Sequence, residues 1–143
     1  MRIAILNGPN LNRLGRRKPE IYGQLSMAQV LLAIQRTYPD LQLLYRQSNH
    51  EGDIIDWLQE LEDMPVVGIV LNAGGYSHTS VAIRDAVEEC AVPVVEVHIS
   101  DITQREAFRR ISLLTDVCAH SIIGHGTNGY QEAIQWIINE KNS

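Results

Sequence analysis

Lysine is nearly missing from this chain. Of 143 residues only Lys18 and Lys141 are lysines, against a combined Lys and Arg count of 12. Lys18 lies in a long polar stretch near the amino terminus, and Lys141 lies in the carboxyl-terminal tail. Neither sits in an apolar run that would depress an amine pKa, so imine chemistry on a lysine is not expected. Cysteine is as sparse. Cys90 and Cys118 are the two present, their spacing fits no metal or redox motif, and they read as buried structural thiols of a reducing compartment. No apolar run approaches the roughly 18 residues of a membrane span. The opening MRIAILNGPN lacks an extended apolar core and a small-residue cleavage site, so no signal peptide is expected and the cytoplasm is the default. Basic charge is short too. The formal net charge is -5, and the absence of a basic stripe argues against nucleic acid. An anionic ligand would therefore need a locally positive site in an acidic protein.

What is present alternates. Strand-like runs are Arg2–Leu6, Leu41–Gln47, Pro65–Leu71, Val92–His98 and Ala119–Gly124. Between and after them come helical patterns over Ser26–Tyr38, Gly52–Asp63, Ser80–Ala91, Arg105–Ser112 and Gly129–Glu140. Ser26 and Thr79 stand where N-caps are wanted. Continuous apolar runs such as PVVGIVL suit strands buried on both faces. Five alternating units in one domain of 1–143 predict an α/β fold, flavodoxin-like and doubly wound, with a five-stranded parallel sheet in the order 2-1-3-4-5.

The polar and Gly-rich clusters are one-sided. NGPN, QSNHEG, NAGGYSHTS, VHISD and GHGTNG each follow a strand, whereas the opposite connections YPD, EDMP and CAVP are short and plain. Turn geometry explains any one cluster. It does not explain why all five fall at carboxyl ends, the edge where open parallel sheets bind ligands. After the first strand the segment from about residue 8 to 24 is long for a loop, and such segments are commonly lids or binding elements.

Several residues on that edge can do chemistry. Glu96 and His98 have the same parity on one strand and so point to one side. A carboxylate beside an imidazole fixes its tautomer and suits a general acid. His78 precedes a helix, whose free amides favour anions. His50, His120 and His125 show no partner. Arg105 and Arg109 are four apart, on one face of the expected short helix. Tyr22 shares the lid with Arg16 and Arg17, and a guanidinium can stabilise the phenolate a tyrosine needs to act as a base. GHGTNG matches a dinucleotide fingerprint, but no strand or ribose-binding acid follows it. Metal ligation by His78, His98 and Glu96 lacks supporting spacing.

Together LNGPNLNRLGRRKPEIYG, RQSNHEGDIIDWL, LNAGGYSHTSVAIRDA, EVHIS, REAFRRIS and GHGTNGY resemble, in order and over nearly the whole chain, the blocks of type II 3-dehydroquinate dehydratases. The resemblance implies a small flavodoxin-like subunit of a dodecamer built from trimers. It implies a lyase of the shikimate pathway or of quinate breakdown, dehydrating 3-dehydroquinate to 3-dehydroshikimate by anti elimination through an enolate, with neither cofactor nor metal. Carried across, Tyr22 would remove the proton alpha to the ketone, Arg17 would stabilise its phenolate, and His98, oriented by Glu96, would protonate the leaving hydroxyl. Asn10 would hold a water at the enolate oxygen. Asn72 and the amides of Ile99 and Ser100 would bind the carboxylate, with Gly74 in the same substrate-binding set. His78 and Arg109 would meet ring hydroxyls, Arg105 would support the lid and the site electrostatics, and Asp85 would reach a neighbouring subunit's site.

Two positions depart from the pattern. Asp101 stands where the family usually has Asn, adding a negative charge near the expected carboxylate site, and Arg13 replaces a common apolar residue. The competing reading is a non-enzymatic module on the same fold. A receiver wants an acidic cluster after early strands and a lysine after the last, and a flavin binder wants a Ser/Thr-rich loop after the first; NGPN and GHGTNG stand in those places.

Overall fold

Strands that are apolar on both faces need helices on both sides, and the chain supplies them. In the computed structural model, which covers Met1–Ser143, β1 (Arg2–Asn7), β2 (Gln42–Gln47), β3 (Gly68–Asn72), β4 (Val94–His98) and β5 (His120–Ile123) form one sheet in the order β2-β1-β3-β4-β5. Every pairing is parallel. The helices are α1 (Pro19–Tyr22), α2 (Met27–Thr37), α3 (Glu51–Glu62), α4 (Val81–Glu89) and α5 (Asn128–Asn142). This is the expected flavodoxin-like doubly wound topology.

Alternation along β1 sends Ile3 and Ile5 to one face and Ala4 and Leu6 to the other. The first face packs on Val30 and Ile34 of α2 and on Tyr130, Ile134 and Ile137 of α5. The second meets Ile54, Leu58 and Leu61 of α3 and Ile83 and Val87 of α4. These helical residues recur three or four apart, so each helix turns one stripe to the sheet. The lid is less irregular than its composition suggests. It holds a 3-10 turn at Leu11–Arg13 and the short α1, and its Leu11, Leu14 and Tyr22 are buried in the first core.

Local capping corrects two expectations. Ser26 caps α2 through a reciprocal capping box with Gln29. At α4 the cap is Ser80 rather than Thr79: Ser80 Oγ accepts the Ile83 N–H at 2.9 Å, while the Thr79 N–H is spent on the Tyr76 carbonyl. The helix expected over Arg105–Ser112 is absent. Two 3-10 turns, Ile102–Gln104 and Ala107–Arg109, take its place, separated by an extended Arg105 with φ -98° and ψ -173°. The Asp101 side chain caps the first turn, accepting from Thr103 N at 3.0 Å and Thr103 Oγ1 at 2.6 Å. Arg105 and Arg109 thus do not share a helix face.

The strand ends are drawn close at Gly8. Its N–H donates to the Asn72 carbonyl at 2.8 Å, and a Cβ added there would stand 2.5 Å from the Ala73 carbonyl oxygen. Gly52, in α3, has no heavy atom within 4 Å of such a Cβ. Gly8→Ala should therefore lose about 1–3 kcal/mol of stability through overpacking, while Gly52→Ala should be neutral or up to about 1 kcal/mol more stable. Urea unfolding of the two variants checks this; equal midpoints would contradict the close approach at Gly8.

Candidate active site

The carboxyl ends of β1, β3 and β4 open into a cleft of about 200 Å³. Asn10, Leu11, Arg17 and Tyr22 line it from the lid, and Asn72, Gly74, Gly75 and His78 from the segment after β3. His98, Ile99, Ser100, Ile102, Arg105 and Arg109 complete it from β4 onward. Three guanidinium groups and no carboxylate face this space, so an acidic protein carries a cationic cleft. Two clusters expected at the ligand edge do not line it. The one after β2 buttresses the lid, where Asn49 Oδ1 accepts from Asn10 N at 3.0 Å and Gln47 Nε2 donates to the Gly8 carbonyl at 3.2 Å. The one after β5 braces β4: Gly124 N and Gly126 N each donate at 3.0 Å, to the His98 and Ile99 carbonyls.

Glu96 lies under the cleft floor with 1% of its surface exposed. His98 Nε2 is 2.7 Å from its Oε2. Thr115 Oγ1 and Ser121 Oγ donate to Oε1 at 2.6 and 2.7 Å, and Ser112 Oγ donates to Oε2. Burial alone would raise this carboxyl's pKa, but the imidazole and the hydroxyl donors outweigh it and hold it down at about 2. An ionised carboxylate only accepts, so Nε2 carries a proton and Nδ1 is left as the ring nitrogen without a protein partner.

Tyr22 is clasped by two arginines. The Arg17 guanidinium lies 4.3 Å from its ring centroid, and Arg105 Nη1 donates to its hydroxyl at 2.9 Å and to Ser100 Oγ at 3.3 Å. Arg16 is exposed, so the neighbouring arginines occupy different environments. Asn10 holds a left-handed backbone, φ 69°, a conformation asparagine tolerates better than most residues. His78 Nδ1 is 2.8 Å from the Ile111 carbonyl. Its pKa is lowered, by burial first and by His98, Arg109 and Arg105, against the opposing carbonyl bond. Neutral His78 donates from Nδ1 and offers Nε2 as an acceptor. Arg109 Nε lies 2.8 Å from Glu106 Oε2 but out of line for a hydrogen bond.

Of the residues the resemblance assigns to the site, Glu96 lies beneath the floor and Asp85 alone lies apart, exposed on α4 and outside the cleft lining. Asp101 is exposed and engaged with Thr103, so its charge is turned to solvent rather than to the cleft. Arg13 is likewise exposed. Two histidines read as unpartnered have neighbours: His125 Nδ1 is 2.7 Å from Glu132 Oε2, and His120 stacks on Trp136 with centroids 5.0 Å apart. Cys90 and Cys118 are half-buried rather than buried, and burial pushes the Cys118 thiol up to about 12. Sequence reasoning missed Leu11, Gly75 and Ile102 in the lining and the three hydroxyls on Glu96. Ser121 had a signal, since it stands opposite Glu96 in the β4–β5 register; Ser112 and Thr115 had none.

A family model described as class II dehydroquinase matches residues 1–138. The chain belongs to that family. A relative in Exiguobacterium sp. (strain AT1b), named 3-dehydroquinate dehydratase, is 50% identical over 139 residues, spanning 96% of this chain and 94% of its own. A Rhodopseudomonas palustris protein of the same name is 48% identical across 92% of this chain and 89% of its own. The crystal structure of a type II dehydroquinase from Butyrivibrio crossotus superposes with a TM-score of 0.92 at 42% identity, covering 96% of this chain and 97% of that one. The paired Glu96 and His98 on β4 and the clasped Tyr22 on α1 thus meet at a single cleft from separate elements.

The Glu96 bonds have a consequence for stability. Its folded pKa of about 2 lies below the ordinary 4.5, so the stabilisation is complete above pH 4.5 and is lost as pH falls toward 2; the shift corresponds to about 3 kcal/mol. Glu96→Gln removes it. The stability difference between wild type and Glu96→Gln, from urea unfolding, should shrink in wild type's disfavour between pH 5 and pH 2. A difference that stays flat over that range would contradict an ionised Glu96.

Proposed function

We propose that the chain removes water from 3-dehydroquinate by anti elimination through an enolate, giving 3-dehydroshikimate, as its relatives' names indicate. The observation that carries the reading is the single cleft in which Tyr22 stands between Arg17 and Arg105 while His98 rests on Glu96. The Tyr22 phenolate takes the proton alpha to the ketone, and the electron pair moves into the carbonyl to form an enolate. Positive charge from Arg17 and Arg105 favours the phenolate, and a water held by Asn10 answers the enolate oxygen. When the enolate collapses, the beta carbon–oxygen bond breaks. His98 delivers the proton that turns the departing hydroxide into water. Tyr22 ends protonated and His98 neutral, and proton exchange with solvent resets both.

Binding follows from the same inventory. The cationic cleft suits a carboxylate, which the Ile99 and Ser100 amides and Asn72 would hold, with Gly74 beside them in the lining. His78 offers an acceptor for a ring hydroxyl and Arg109 a donor. A homo-oligomer, a dodecamer built from trimers, belongs to this reading, with Asp85 entering a neighbouring subunit's site; exposed Val81, Phe108 and Ile111 are the apolar surface that assembly would cover. No cofactor or metal has a part in it, and the cytoplasm is the proposed location.

Purified protein given 3-dehydroquinate should raise ultraviolet absorbance as the conjugated enone forms, with chelator present and after borohydride treatment; no rise would overturn the reading, and borohydride inactivation would point to an imine. Tyr22→Phe should abolish turnover while keeping binding. Arg17→Ala should lower kcat at least about a hundredfold and Arg16→Ala by less than about threefold. If sites are shared between subunits, co-refolding Asp85→Ala with Tyr22→Phe should regain activity that neither has alone. Failure to regain it would remove Asp85 from a neighbouring subunit's site.

A further inference from the structure

A buried line of side-chain hydrogen bonds runs beneath the cleft on the face opposite Glu96. Asn7 ends β1 and Asn72 ends β3, in register with each other. Tyr130, in the first turns of α5 and with none of its surface exposed, stands between their amides. Its hydroxyl donates to Asn7 Oδ1 at 2.8 Å and accepts from Asn72 Nδ2 at 2.9 Å. Asn72 Oδ1 accepts the Gly74 N–H at 3.1 Å. Asn7 Nδ2 reaches the Tyr45 hydroxyl at 3.4 Å.

The direction of this line is not arbitrary. A main-chain N–H only donates, so Gly74 identifies the acceptor end of the Asn72 amide. The other end must then donate to Tyr130, and the single hydroxyl proton of Tyr130 must go to Asn7. Burial keeps that proton in place, holding the hydroxyl above the ordinary tyrosine range. One N–H of Asn72 Nδ2 remains without a protein partner, on a residue that lines the cleft.

We propose that Tyr130 is a positioning residue for substrate binding: with its own proton committed to Asn7, it acts together with the Gly74 N–H to hold the Asn72 amide so that a donor, not an acceptor, faces the anionic group of the substrate. The inference rests on the dehydration reading above and adds a specificity element to it. An Asn amide free to rotate by half a turn would present its oxygen to the same group, and two acceptors facing each other repel. Locking the amide before the substrate arrives also removes an ordering cost from binding. The effect therefore falls on affinity. Its hydrogen bonds reach the cleft lining through Asn72 alone, Asn7 and Tyr130 both being absent from that lining.

A double-mutant cycle separates this from a packing role. Tyr130→Phe keeps the ring and loses the bonds. It should raise KM for 3-dehydroquinate about tenfold or more, with kcat within about threefold. In an Asn72→Ala background the same substitution should change KM less than about twofold. An equal rise in both backgrounds, an unchanged KM, or a loss confined to kcat would overturn the proposal. Urea midpoints of all four proteins report packing separately. Should Tyr130→Phe not fold, Asn7→Ala asks the same question: it removes the acceptor for the Tyr130 proton and should raise KM in the wild-type background but change it less than about twofold in Asn72→Ala, and an unchanged KM or an equal rise in both backgrounds overturns the idea. Absence of turnover in the wild type would instead strike the dehydration reading itself.

Discussion

A carboxylate removed from water must be answered by donors, and the answer given to Glu96 organises this half of the molecule. An ion buried without partners would cost several kcal/mol. Here its oxygens meet one imidazole and three hydroxyls. Those donors come from β4, from β5 and from the stretch between Arg110 and Cys118, which has no regular element of its own. The negative charge holds that stretch against the sheet, and the stretch in turn carries Ile111, whose carbonyl orients His78. Ser112, bonded to Glu96, belongs to that irregular stretch rather than to a helix continuing from Arg105.

The two faces of the sheet serve the cleft differently. Under β4 the arrangement is ionic and delivers a proton-bearing ring. Under β1 and β3 it is neutral and directs an amide. Between them the parallel sheet places the ends of three neighbouring strands within one small space, which is why residues far apart in sequence line one cleft. The cationic groups stand on the rim and on the lid, so charge of one sign is gathered at the cleft while the protein as a whole remains acidic.

Much of this was legible beforehand. Strand order followed from the alternation of apolar runs, and the ligand edge from the one-sided placement of Gly and Asn. Parity alone brought Glu96 beside His98. The choice of Arg17 over Arg16 came from family likeness, since composition cannot distinguish adjacent arginines. What stayed hidden depends on tertiary contact. Thr115 and Ser112 are ordinary polar residues until the fold brings them to a buried charge. Tyr130 reads as one more apolar position in α5 until its hydroxyl is found between two strand ends. The Arg105–Ser112 segment has helical spacing, but a side-chain cap at Asp101 and the pull of Glu96 override it.

Tyr22 is counted twice in this protein. It borders the cleft, and with Leu11 and Leu14 it is also part of the packed interior on the α2 and α5 side. A lid hinged at its ends could swing aside as a rigid flap. This one cannot move its tyrosine without withdrawing three apolar side chains from the core and wetting them. The place of Tyr22 at the cleft therefore depends on that patch of core staying packed. One side chain thus ties the wall of the cleft to the packing beneath the sheet, so a substitution in that patch of core would be felt at the cleft as well as in stability.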